Sequence, residues 1–226
     1  MKIFIIHGSF GNPGENWFPW LKIQLVNCGH EVITPTFPIE DYESFSKQLK
    51  ANPTLKPIHQ NLPNWLEVFK PYRAAVDENT IFVAHSSGPA FVLHLLQQLE
   101  VKVKASIFVS GFLGRIGIQE FDSVNASLID GPFDWPRIKR SCREFYVVSS
   151  DNDPYVPFAL TEELRGKLSS YLPQEGKILA NFLNVQFQLI PGGKHLNTSA
   201  GYSTFLYIFT LINRIMFTGG KNPVML

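Results

Sequence analysis

The chain has 226 residues, and 20 Lys and Arg against 19 Asp and Glu leave no basic stripe to neutralise phosphates, which argues against a nucleic-acid partner. Only Cys28 and Cys142 are present, too few for a disulfide framework or a zinc cluster. They point to a reduced, cytoplasmic setting with no metal and no cofactor. No Ser/Gly-rich linker or charge run divides the sequence, so a single domain over 1–226 acting on a small molecule is expected.

The opening "MKIFIIHG" holds an apolar run too short for a signal peptide and reads as a first strand ended by Gly8. "NWFPWLKIQLVNCG" fits a helix and "EVITPTFP" a second strand. Residues 39–61 exceed the usual connection between helix and strand. They are expected to be a lid-like insertion in which Phe45, Leu49 and Leu55 cover part of a pocket; a surface helix beside the sheet is the other reading. Helix and strand then alternate through "LPNWLEVFKPYRAAV", "TIFVAHS", "GPAFVLHLLQQLE" and "ASIFVSG". An irregular stretch over 111–134 comes next, then "DWPRIKRSC", "EFYVVSS", "LTEELRGKLSSYL" and "VQFQLIP". The last apolar stretch, "YSTFLYIFTLINRIMF", is below membrane-spanning length and carries Asn213 and Arg214, so it reads as a core-packed helix with no membrane role.

The strand candidates are continuously apolar rather than alternating, as in a parallel sheet covered on both faces. The expected architecture is a three-layer α/β/α sandwich of about six parallel strands with right-handed crossovers. Ligands of such sheets bind beyond the carboxyl ends of the strands.

Within "FVAHSSGPA", Ala84-His85-Ser86-Ser87-Gly88 matches the frame of a nucleophile elbow, G-x-S-x-G, with alanine at the first small position. Centring the frame on Ser87 would put His85 and Pro89 where small residues are required, so Ser86 is the candidate nucleophile. Ser87 is left as the helix start and as an amide donor. A serine needs an imidazole base, and the imidazole needs a carboxylate to set its tautomer. His195, after the glycine pair in "IPGGKHLN", and Asp153, in "DNDPYVP", follow later strands in the required order. Asp151 is the competing carboxylate, disfavoured because it lies directly at the strand end. The backbone N–H groups of Ser87 and Ser9, with Phe10 as the second choice to Ser9, would form an oxyanion hole.

Glycines 8, 11 and 14 do not make a dinucleotide fingerprint, since the spacing is G-x-x-G-x-x-G and no acidic residue ends the second strand. His30, His59, His85 and His94 have no partner motif, and His85 is expected to point away from Ser86. Phe10, Trp17 and Phe112 are the candidate pocket residues, with Trp20, Phe133 and Trp135 joining them if their loops converge; simple core packing is the other reading of these aromatic side chains.

"HGSFGNPGENWFPWL", "AHSSGPA", "DWPRIK", "DNDPYVP" and "GGKHLN" together resemble the small YdeN-like and retinoblastoma-binding-protein-nine-like serine hydrolases of the α/β-hydrolase superfamily. The resemblance runs through nearly the whole chain. It implies a minimal, capless α/β-hydrolase fold, a Ser86, Asp153 and His195 triad, and hydrolysis of small esters through an acyl-enzyme, as in a carboxylesterase. Amide, peptide or thioester cleavage on the same triad, or a binding protein with an idle triad, are the alternatives. Ala84 and the insertion at 39–61 are the departures from the family pattern.

Overall fold

Six short runs rich in β-branched and aromatic residues form one sheet, and the four inner ones bury both of their faces, which encloses the sheet between two helical layers. In the computed structural model, which describes residues 1–169 and 184–218, these runs are strands β1 (Lys2–Ile6), β2 (Glu31–Ile33), β3 (Thr80–His85), β4 (Val103–Val109), β5 (Cys142–Ser150) and β6 (Asn184–Ile190). They form one sheet in the order β2-β1-β3-β4-β5-β6, with every pair parallel. Eight α-helices accompany them among the described residues: α1 (Phe18–Asn27), α2 (Tyr42–Ala51), α3 (Leu62–Phe69), α4 (Gly88–Leu96), α5 (Gln119–Ile129), α6 (Trp135–Arg140), α7 (Phe158–Ser169) and α8 (Leu206–Thr218).

Alternate strand residues separate into two cores. Phe4, Ile6, Phe82, Phe108 and Phe145 pack with α3, α4, α6 and α7 on one face. Ile3, Ile5, Ile81, Val83 and Ile107 pack with α1 and α8 on the other. This is the three-layer α/β/α sandwich expected from the sequence.

Departures from expectation have local causes. The second strand stops at Ile33 instead of running through "TPTFP", because two prolines interrupt the ladder and Phe37 turns away to stack on Trp65 at 4.6 Å. Both irregular stretches contain a helix. Asp41 caps α2 by accepting the Ser44 N–H, and α5 lies inside 111–134. Residues 170–172 of the helix expected over 160–172 lie outside the described residues. No helix among the described residues is long and apolar enough to cross a membrane.

The chain leaves β1 for β2 on one side and later returns to β3 on the other. The loops after β1 and β3 therefore diverge at their carboxyl ends, which opens the crevice where parallel sheets hold ligands.

Candidate active site

Ser86 stands in that crevice, in a turn that only a crowded and closely packed environment would impose. Its φ is +61°, the left-handed region, which costs a non-glycine residue roughly 1–2 kcal/mol. Its N–H donates to the Val109 carbonyl at 2.9 Å, extending the β3–β4 ladder one residue past the end of β3. Small neighbours make the turn possible. Ala84 is fully buried between Ile6 and Phe108 in the strand register. A Cβ at Gly88 would fall 2.9 Å from the His7 carbonyl oxygen, and one at Gly8 would fall 2.6 Å from the Ser86 Cβ. The end of β1, the end of β3 and the start of α4 thus meet without side chains between them.

Asp153 follows β5. Its Oδ1 accepts the N–H groups of Tyr155 and Val156 at 2.9 and 3.0 Å, and this fixes Oδ2 toward His195 Nδ1 at 2.8 Å. Burial would raise the carboxyl pKa, but the His195 bond and the two backbone donors outweigh it and hold Asp153 below the ordinary carboxylate range. With Nδ1–H committed to the carboxylate, the neutral His195 ring carries its lone pair on Nε2. Asp151 is engaged elsewhere, since its Oδ1 accepts the Gly192 N–H at 2.8 Å.

The His195 loop is pinned along its length, which offsets the strain of Lys194 and Leu196, both at φ +50°. Asn152 accepts the Lys194 N–H, and Ser150 Oγ donates to the Lys194 carbonyl. His85 Nε2 and Ser110 Oγ both donate to the His195 carbonyl, at 2.9 and 3.2 Å. Trp17 Nε1 donates to the Leu196 carbonyl at 2.9 Å. A Cβ at Gly193 would fall 2.6 Å from Leu196 Cδ2, so a larger residue there would have to displace the buried Leu196 side chain.

Ser86 and His195 line one cavity of about 770 Å³. Phe10 and Phe112 belong to its wall, joined by Phe121 and Tyr155, with Glu15 and Ser199 at its polar side. Trp17 does not. It is fully buried in the α1/α8 core, where the indole both fills space and holds the His195 loop, so its expected place in the pocket is corrected. Phe45, Leu49 and Leu55 are likewise absent from the wall. They bury themselves against Val124 and Phe10, because α2 lies flat on α5 rather than over the cavity.

The sequence marks His85 as a bystander, and the structure gives it a part in the site. It lies 4.8 Å from the His195 ring, lines the cavity and holds the His195 backbone, and burial pushes its pKa down to about 3, so it stays neutral. His7 is also buried and lowered to about 4; its Nε2 accepts the Phe37 N–H. Neither role has a local sequence signal, since each partner is supplied by a distant segment.

Ser87 starts α4, yet its side chain makes no capping bond. Its Oγ lies 2.9 Å from Ser9 Oγ instead, so the two residues expected to offer oxyanion amides are joined through their hydroxyls. The Phe10 N–H is spent on Gln60 Oε1 at 3.0 Å, which leaves Ser9 as the better placed of the two β1-loop donors.

The model of a family described as serine hydrolase matches residues 3–214. The chain belongs to the serine hydrolase family. Among its relatives, YdeN of Bacillus subtilis (strain 168), described as a hydrolase, is 28% identical over 174 residues, covering 76% of this chain and 80% of that protein. The serine hydrolase RBBP9 of Rattus norvegicus is 25% identical over 134 residues, covering 56% and 69%. The crystal structure of the B. subtilis ydeN gene product superposes with a TM-score of 0.74 at 25% identity, covering 95% of this chain and 98% of that one.

Proposed function

We propose that this serine hydrolase is an esterase of the carboxylesterase type, acting on small acyl esters with Ser86 as nucleophile, His195 as base and Asp153 as orienting carboxylate. The 2.8 Å bond from His195 Nδ1 to Asp153, behind a cavity that His195 lines together with Ser86 on its left-handed turn, carries the reading. His195 Nε2 takes the Oγ proton as Ser86 attacks the acyl carbonyl. The N–H groups of Ser9 and Ser87 bind the oxygen that becomes negative, and the positive end of α4 adds to that field. Collapse breaks the ester C–O bond, and the leaving alcohol takes the proton from Nε2. A water molecule then gives a proton to His195 and attacks the acyl-enzyme. Collapse of this second intermediate returns that proton to Ser86 Oγ and frees the acid.

Matched acetyl and butyryl p-nitrophenyl esters, thioesters and anilides distinguish the acyl class. The esters should give the highest kcat/KM, with a p-nitrophenol burst on mixing and none in Ser86→Ala. Faster turnover of the thioester or anilide would reassign the substrate class.

A further inference from the structure

Residues 39–61 are fastened to α5 at successive points. Ser46 Oγ donates to Glu120 at 2.7 Å, Ser123 Oγ to the Leu55 carbonyl at 3.1 Å, and Gln60 Nε2 to Asn125 Oδ1 at 3.1 Å. Just past the segment, the Leu62 N–H donates to Ser127 Oγ. The buried Glu40 accepts the His59 and Gln60 N–H groups and so fixes the Gln60 backbone. A hinged lid would not be tied in this way.

The links at Gln60 and Asn125 have only one consistent direction. The Phe10 N–H can only donate, so Gln60 must turn Oε1 to it and Nε2 to Asn125. Asn125 must answer with Oδ1, which cannot donate, so the Ser9 hydroxyl 2.7 Å away must give its proton to that oxygen. Ser9 Oγ is then free to accept from Ser87 Oγ at 2.9 Å. Asn125 Nδ2 is left buried and unpaired among the described residues, which is the unfavourable consequence of keeping Oδ1 on Gln60 and Ser9. Phe10, the residue held by Gln60, is at φ +54° and needs such a restraint.

We propose that Gln60 and Asn125 are positioning residues that lock the Ser9–Phe10 turn, so that the segment 39–61 buttresses the oxyanion amide of Ser9 instead of covering the cavity. The inference rests on the reading of Ser9 as an oxyanion donor. A buttress acts on the developing negative oxygen, so its loss should lower kcat and leave KM nearly unchanged. A lid that excludes or binds substrate would move KM.

The full chain carrying Gln60→Met or Asn125→Leu loses these bonds at similar volume. On p-nitrophenyl acetate, kcat should fall roughly 30- to 100-fold while KM changes less than about threefold. Asn125→Asp keeps an oxygen acceptor for Ser9 and Gln60, and its loss should stay below about tenfold. Amide hydrogen exchange over residues 9–11, measured without substrate, should speed up in Gln60→Met and less in Asn125→Asp. A raised KM at constant kcat, or unchanged exchange at 9–11, would overturn the buttress. Turnover that persists in Ser86→Ala would instead count against Ser86 as the nucleophile, and the exchange measurement would still decide the buttress.

Discussion

A methyl group on Gly8 would place its carbon 2.6 Å from the Cβ of Ser86, closer than any real pair of such atoms. The loop that supplies one proposed oxyanion amide and the turn that supplies the proposed nucleophile are therefore packed to contact, and neither can move without the other.

Gly8→Ala should accordingly cost activity more than stability. The added methyl must displace either Ser86 or the Ser9 turn, and a shift of about 1 Å at such a site lowers turnover by roughly 100-fold. Steady-state kinetics beside a thermal melt check this: near-normal kcat in a folded Gly8→Ala protein would contradict it.

Asp153→Asn should reduce kcat by about 10⁴-fold, the loss seen when the orienting carboxylate of a serine protease triad becomes an amide. Asp151→Asn should do far less, because the amide oxygen can still accept the Gly192 N–H. A ranking in the opposite order would transfer the orienting role to Asp151.

Two of the buried histidines, His7 and His85, make the fold acid-sensitive. In the unfolded chain they take up protons near 6.5, whereas in the folded one His7 is lowered to about 4 and His85 to about 3. Between those limits the unfolded state binds more protons, so stability falls as pH falls, by up to about 1.4 kcal/mol per pH unit for each histidine. Asp153, lowered from its ordinary value, adds a loss in the same direction only further down, as pH drops through its folded value. Urea melts across this range should show a shallower slope for His85→Gln than for the wild type. Equal slopes would mean that His85 is not held neutral by burial.

Trp17→Phe keeps most of the packing but strands the Leu196 carbonyl, and a buried unpaired acceptor costs about 1–3 kcal/mol. Urea denaturation should show that loss, and kcat should fall with it because the same bond anchors the residue after His195. An unchanged kcat would show that the other bonds to the loop suffice.

The inner strands and most helices are legible because burial on both sheet faces writes itself into the chain as largely apolar runs, and Ser86 is legible because the elbow needs small residues at 84 and 88. Asp153 and His195 stand out by their order after β5 and β6, positions that parallel topology places at one edge. What the sequence hides depends on contacts between remote segments. Trp17 reads as a pocket aromatic until its indole is seen bonded 179 residues away, and His85 looks idle until the His195 carbonyl arrives. Gln60 and Asn125 stand in stretches with no motif, and only the docking of α2 on α5 makes them partners of the Ser9 turn. The segment 39–61 is legible as an insertion with apolar residues, but which surface those residues cover is not.

The central claim, that Ser86 is the activated nucleophile, is tested most directly by reaction with a fluorophosphonate followed by peptide mass mapping. The wild type should carry the adduct on Ser86, Ser87→Ala should still be labelled there, and Ser86→Ala should take up none. An adduct that persists in Ser86→Ala, or a folded wild type that remains unlabelled, would contradict the account.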